Sequence, residues 1–495
     1  MRIPALLSLA LAGIAACAPP TARDTPSEAP ADAAPSSAPF IRDDQGRALI
    51  FHGMNVDSHA KSSPGRELDI SPDEIAMMAD DWGLNFVRML VLWDQAEPTP
   101  GVYDEAYFDR IEARLDQFDA NGMKVMLDMH QDLYAAKFTG DGAPDWAIRD
   151  DGLPFEAQTL SWALNYFQPA VKRSFDNFWA YTDGDHADLQ DHYSALWAHL
   201  AERFQDHPAV IGYDLMNEPH PGSDFDLAEI VGREELGDGG TSRTFDEDKL
   251  GPFYQRVIHA IREVDSDSWL FVESRYGGPG NGGRSFLPVL DDPRPEDPRL
   301  VYTPHLYSFD LEAQGAYPSD DPTIPFWEAR RTEELARQPM PMVLGEWGLA
   351  HDATDAARFD DEVLAMSDRM MAGWAYWSWD PGGTWPFWVR DGQAETPHLD
   401  RAVRTYPRAV AGDPLGFHLD PATGTFSLTF VDRDGVSGPT EIYVPSRHYP
   451  NGVDVRSTDL DGTWSFAWSQ TRADVLEVTM TATGGQHALY VTRKP

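Results

Sequence analysis

Val210-Ile211-Gly212-Tyr213-Asp214-Leu215-Met216-Asn217-Glu218-Pro219 is an apolar run that ends on a carboxylate. A second run ends the same way, Val343-Leu344-Gly345-Glu346-Trp347. A structural strand normally turns polar only in its loop, so both read as strands that present a reactive group where they end. Working outward, short apolar runs of strand character recur at Leu49 to Val56, Asn85 to Trp93, Met123 to His130, Trp269 to Ser274, Leu300 to Tyr307 and Gly373 to Asp380. With Val210 to Glu218 and Met342 to Trp347 they make eight. Amphipathic stretches separate them, such as Ser71 to Trp82, with a Ser cap and Pro in the first turn, and Asp104 to Asn121. Strands alternating with helices imply a parallel sheet, and eight such units in about 340 residues fit an α/β fold closed as a TIM (β/α)8 barrel better than an open sheet.

One interval is uneven. Between His130 and Val210 lies an insertion, 131–209, that carries Tyr134, Phe138, Trp146, Phe155, Trp162, Tyr166, Phe167, Phe175, Phe178, Trp179 and Tyr181. A long excursion on the strand-to-helix side of a barrel reads as a lid or groove wall, with most of its rings packing its own small core. After about Asp413 the pattern changes to short alternating runs broken by Gly, Asp and Asn, which reads as a C-terminal β-sandwich domain. These runs are Thr425 to Val431, Glu441 to Pro445, Thr463 to Ser469, Val475 to Met480 and His487 to Val491. The expected plan is therefore a barrel over 40–412 and a sandwich over 413–495.

The N-terminus reads as an export signal. Arg2 supplies a positive region, Leu6 to Ala12 an apolar stretch too short to span a bilayer, and Ile14-Ala15-Ala16-Cys17 resembles a bacterial lipobox. Cys17 is the chain's one cysteine, so no disulfide within the chain is possible and the thiol stands where lipidation would use it. Residues 18–39 are rich in Ala, Pro, Ser and Asp without periodicity, the composition of a disordered tether. Ala18 after the cysteine leans by resemblance toward the outer membrane of the cell envelope. A net charge of -42 opposes nucleic acid as a partner; its commonest meaning is a solvated surface.

Cleaving a glycosidic bond needs two carboxyl groups flanking it, one protonated to assist the departing oxygen and one ionised. Glutamates from the fourth and seventh strands face each other across a barrel mouth. Arg88, read as ending the second strand, offers a fixed fork of donors; pairing with Glu346 would keep that carboxylate ionised and oriented. Tyr307 can donate a second hydrogen bond to it, His130 and His305 can hold hydroxyls or Glu218, His305 can also orient Glu346, and Trp377 can floor a sugar subsite. Asp128-x-His130-x-Asp132 alternates as metal ligands on a strand do, yet no second ligand pair lies nearby. Gly277 to Gly283 lacks the Lys-Ser/Thr of a phosphate loop. No metal and no cofactor are expected.

Asn217-Glu218-Pro219 and Gly345-Glu346-Trp347, together with His52-Gly53-Met54-Asn55, Arg88, His130, His305-x-Tyr307 and Trp377, resemble the family 5 glycoside hydrolases over residues 40 to about 410. The resemblance implies a clan A barrel that retains anomeric configuration, with Glu218 as acid/base, Glu346 as nucleophile and Asn217 on the sugar 2-hydroxyl. Val56-Asp57-Ser58-His59-Ala60-Lys61, His130-Gln131-Asp132, the insertion and the C-terminal domain are similar to the endoglycoceramidase branch. That likeness implies a glycolipid substrate and sugar contacts at Lys61, Asp132 and Gln168. Glucosylceramide and steryl-glucoside hydrolases share this layout, and a β-glucanase is a further alternative. Outside enzymology the alternative is a silent carbohydrate-binding surface lipoprotein. A monomer is expected.

Overall fold

The computed structural model describes residues 39–495, apart from 160, 182–185, 226–239, 295–296, 309–310, 312–314, 350–352, 382, 384 and 482–483. The expected signal, Cys17 and the expected tether up to residue 38 lie outside the described residues. Among the described residues no helix is long and apolar enough to cross a membrane.

Eight parallel strands form the barrel: β1 His52–Val56, β2 Phe86–Leu92, β3 Lys124–His130, β4 Val210–Asp214, β5 Trp269–Val272, β6 Leu300–Tyr302, β7 Val343–Trp347 and β8 Gly373–Tyr376. Neighbours ladder in sequence order, and β8 pairs with β1. Between β6 and β7 closure is lighter: a bridge joins Tyr302 to Met342, a second joins Leu306 to Trp347, and the Leu306 N–H donates to the Glu346 carbonyl at 2.9 Å. Strands covered on both faces should read as near-continuous apolar runs, and these do. The helices start where expected. Ser71 caps α1, Pro72–Asp80, in a reciprocal capping box with Glu74, and Asp104 caps α2, Glu105–Ala120.

Side chains alternate along each strand, so those pointing inward stack in layers. The lowest layer is apolar: Phe86, Met126, Phe271, Val301, Val343 and Ala375 cluster with Phe51 and Ile41, which plug the base. Two residues further along the same strands stand Arg88, Asp128 and Glu273. The barrel thus changes from oil to ion pairs within one pleat.

The C-terminal domain is a two-sheet sandwich. Its strands are β9 Tyr406–Val410, β10 Asp413–Asp420, β11 Thr425–Val431, β12 Thr440–Tyr443, β13 Val453–Ser457, β14 Trp464–Trp468, β15 Val475–Met480 and β16 Gln486–Arg493. One sheet runs β10-β11-β16-β13; the other runs β9-β12-β15-β14, and the short strand Ala48–Leu49 adds to its β9 edge. The run expected as one strand from Leu49 to Val56 is therefore divided, its first residues serving the sandwich and the rest the barrel. Sandwich and barrel meet in a polar and aromatic seam. The Tyr406 hydroxyl and Arg408 both donate to the Gly83 carbonyl, at 2.8 and 3.0 Å, and His52 stacks between Trp374 and Tyr406. Gly83 has φ +66°, and a Cβ there would stand 2.2 Å from the Tyr443 ring, so only glycine fits.

Candidate active site

Arg88 lies mid-strand in β2, fully buried, with all five N–H donors used. Nε donates to Asp214 at 2.8 Å; Nη1 to Asn55 at 3.0 Å and Glu346 at 2.8 Å; Nη2 to Asn217 and Glu273, each at 2.9 Å. Asp128 adds a charge contact at 2.9 Å. One cation thus serves four carboxylates. Burial pushes the Asp214 carboxyl well above the ordinary range, helped by Glu273 and Asp128 and opposed by Arg88.

Glu346 sits within β7, 5% exposed, and its second oxygen accepts from the Tyr307 hydroxyl at 2.7 Å. Gly345 precedes it because a Cβ there would come within 2.8 Å of Thr303 Oγ1 and 3.1 Å of the His305 ring. Glu218 stands beyond the end of β4, at Asp214, in a turn that gives it φ +42°. That conformation is sparsely populated for a residue with a side chain, costing on the order of 1–3 kcal/mol, and persists where the surroundings over-determine it. They do: the Glu218 N–H donates to Glu273 Oε2, and the Gln131 amide donates to the Asn217 and Glu218 carbonyls, each bond 2.9 Å long. His305 Nδ1 lies 3.0 Å from Glu218 Oε1 and 3.6 Å from Glu346 Oε2. Burial pushes the Glu218 carboxyl up; Glu346 and Asp132 push the same way, and His305 opposes them. Oxygens of Glu218 and Glu346 approach within 4.8 Å. So close an approach of single oxygens is compatible with the short carboxyl separation of retaining glycosidases, about 5–5.5 Å.

A second cluster borders this pair. The Lys61 ammonium is bonded to Asp132 and lies 4.8 Å from the centre of the Trp377 ring, on which His130 stacks in parallel at 5.3 Å. The Tyr166 hydroxyl, from the insertion, donates to Asp132 at 3.1 Å and accepts the Leu133 N–H at 3.2 Å. Burial would raise Asp132, but Lys61 and His130 hold it well below the usual carboxylate range. Asp141, buried beside it, is pushed up to about 6. His130, Asp132 and Asp141 come close enough to share a metal ion, as do Glu218, His305 and Glu346. In the first group Lys61 already supplies the cation, and in the second the close partner is an imidazole between two carboxylates, so neither is built as an open metal site.

The structure brings Glu218, Glu346, Asn217, Arg88, His305, Tyr307, His130, Lys61, Asp132 and Trp377 to one mouth. Gln168 is not among them. It starts the helix α3, Pro169–Trp179, and its side-chain oxygen accepts the Glu156 N–H at 3.4 Å, inside the insertion. Tyr166, two residues earlier, is what reaches Asp132. Arg88 is corrected in depth, from a strand end to the middle of β2. His305 makes its hydrogen bond to Glu218, one of the two contacts expected of it, and lies 3.6 Å from Glu346, the other. Glu273 has no place in the sequence reading, and Asn55 and Gln131 enter it only as motif residues without a role. For Glu273 the available signal was a carboxylate directly after the apolar strand Trp269–Val272, the pattern that marked Glu218 and Glu346. Of the insertion's rings, Tyr134, Phe138, Tyr166, Phe175, Phe178 and Trp179 are buried, whereas Trp162 is 53% exposed.

Comparison with known proteins agrees with this geometry. Residues 44–383 match the family described as Cellulase (glycosyl hydrolase family 5), and residues 404–491 match the Glycoside hydrolase family 5 C-terminal domain. Endoglycoceramidase I of Rhodococcus hoagii (strain 103S) is 31% identical over 432 residues, 84% of this chain and 80% of that protein. Endoglycoceramidase of Cyanea nozakii is 30% identical over 88% of each chain. Among solved structures, endo-glycoceramidase II from Rhodococcus sp. in its ganglioside GM3 complex superposes with a TM-score of 0.83 at 36% identity, covering 93% of this chain and 100% of that one.

Proposed function

The chain belongs to glycoside hydrolase family 5, and on that premise we propose that it is a retaining endo-β-glycosidase that cleaves the bond between oligosaccharide and ceramide in glycosphingolipids. The observation that carries the chemistry is the pair Glu218 and Glu346 within 4.8 Å, one raised by burial and the other held by Arg88 and Tyr307. In the first step Glu346 attacks the anomeric carbon while Glu218 gives its proton to the departing ceramide oxygen; the C–O bond to ceramide breaks and a glycosyl-enzyme ester forms. In the second, Glu218 as carboxylate takes a proton from water, whose oxygen displaces Glu346 and releases the glycan with its configuration retained. Asn217 spends its oxygen on Arg88 and one amide N–H on the Gln131 carbonyl. The second N–H is left for the sugar 2-hydroxyl. Lys61, Asp132, His130 and Trp377 offer donors, acceptors and a ring face to the sugar. The lipid assignment rests on the endoglycoceramidase relatives and on exposed Trp162 and Leu153 in the insertion. We place the protein in the bacterial cell envelope, tethered through a lipid on Cys17.

The test is mass spectrometry of products from residues 40–495 incubated with lactosylceramide and a ganglioside in detergent, beside Glu346→Gln. Intact oligosaccharide and ceramide, absent with the variant, are expected. Release of glucose from glucosylceramide alone would move the substrate to the neighbouring lipid glycosidases. No cleavage of any lipid would remove the substrate assignment.

A further inference from the structure

Glu273, at the mouth end of β5 and almost wholly buried, touches the two groups that govern Glu218. Its Oε2 accepts the Glu218 backbone N–H at 2.9 Å, and its Oε1 accepts from Arg88 and lies 3.2 Å from His305 Nε2. The other ring nitrogen of His305 faces Glu218 Oε1 at 3.0 Å. Two carboxyl groups therefore flank one imidazole, one near each ring nitrogen. We propose that Glu273 is a positioning residue for the proton that Glu218 delivers, acting through His305. This rests on the reading of Glu218 as the acid/base.

The physical argument is one of charge. A carboxylate at Nε2 favours a proton there, which turns the remaining nitrogen to Glu218 and stabilises the ring as imidazolium. His305 is faced by Glu273 from β5, Glu346 from β7 and Glu218 from the turn after β4. Burial alone would discharge it, but Glu273 and Glu346 push it well above its ordinary value. Around Glu273 stand Arg88, Asp214 and the Tyr254 hydroxyl, which donates to the Glu273 carbonyl at 3.2 Å and accepts its N–H at 3.2 Å. An imidazolium donating to Oε1 makes Glu218 the stronger acid. When Glu218 gives up its proton to the departing oxygen, the new carboxylate meets a cation already in place, and His305 keeps its own proton throughout.

The experiment is the pH profile of kcat/KM for Glu273→Gln, which preserves shape and removes the charge, on an aryl β-lactoside with a poor leaving group. Loss of the anion weakens the imidazolium, and Glu218 then holds its proton more tightly. The basic limb is expected to move up by about one pH unit, the effect of one close charge. His305→Asn should shift the limb the same way, and the double variant should shift it no further. If Glu273→Gln lowers activity evenly at all pH values, or if the two shifts add, the proposal is overturned. Should Glu273→Gln fail to fold, the limb of His305→Asn against native protein still decides, since an unmoved limb refutes the route through the ring. A 2,4-dinitrophenyl β-lactoside, whose leaving group needs no proton, separates the two readings: Glu218→Ala losing kcat/KM on it as fully as on the poor substrate would sink the acid/base assignment itself.

Discussion

Replacing Arg88 by lysine keeps the positive charge and removes the fork. Arginine offers five N–H donors in one plane, and the structure gives each an acceptor on Asp214, Asn55, Glu346, Asn217 or Glu273. Lysine offers three, so at least two of these buried acceptors lose their partner. A hydrogen bond to a charged group contributes about 1.5–3 kcal/mol, and orphaning the acceptor costs a similar amount, so the loss is about 3–6 kcal/mol. Set against the roughly 5–15 kcal/mol that holds a domain folded, that is a large share. The assay is urea unfolding followed by near-UV circular dichroism, with kcat/KM measured in parallel. We expect the unfolding midpoint to fall clearly, and kcat/KM to fall by more than about tenfold if Glu346 is among the groups released, since tenfold corresponds to about 1.36 kcal/mol. A lysine variant with an unchanged midpoint and kcat/KM within twofold of native would refute the view that the planar fork, rather than the charge, organises this layer.

Tyr307→Phe removes one hydrogen bond to Glu346 and should leave the fold intact by far-UV circular dichroism. At about 1.5–3 kcal/mol for such a bond, kcat/KM should fall between about 10- and 150-fold. His130 gives a pH dependence of stability. Burial alone would lower it, but Asp128, at 2.7 Å from its Nδ1, pushes it up to about 10. The unfolded imidazole titrates near 6.5. The contribution is therefore complete below about pH 6.5 and is lost as pH rises toward about 10. The unfolding midpoint of native protein should drop across that window more steeply than that of His130→Asn, and parallel slopes would contradict the assignment. For the anchor, metabolic labelling with a palmitate analogue should mark the full chain and be abolished by Cys17→Ser; label retained in the variant would place any lipid elsewhere.

The two glutamates were legible because each closes a long apolar run, one with Asn before it and the other with Trp after it. Ser71 and Asp104 marked helix starts by local chemistry that tertiary contacts do not override. The layer around Arg88 was less so. A charged residue two positions after Phe86, Met126 or Phe271 looks like noise within one strand, and becomes a layer only when the strands are set side by side at matched depth. The place of Gln168 was illegible for a different reason. The insertion has no period from which to read which side chains turn toward the mouth, so Tyr166 and Gln168 were indistinguishable by sequence.

The two-residue strand Ala48–Leu49, paired with Ala409 and Val410, bears on how the protein is made. Its partners stand 360 and 362 positions away, so at usual ribosome speeds about 20 to 70 s of synthesis separate the two halves of one ladder. β1 waits likewise for β8 on one side. The first strand of the barrel thus has its final neighbours only when the chain is nearly finished, and the N-terminal segment emerges with unpaired edges that a holding chaperone can grip. If the chain is exported as we propose, that delay leaves it open for threading through a translocation pore.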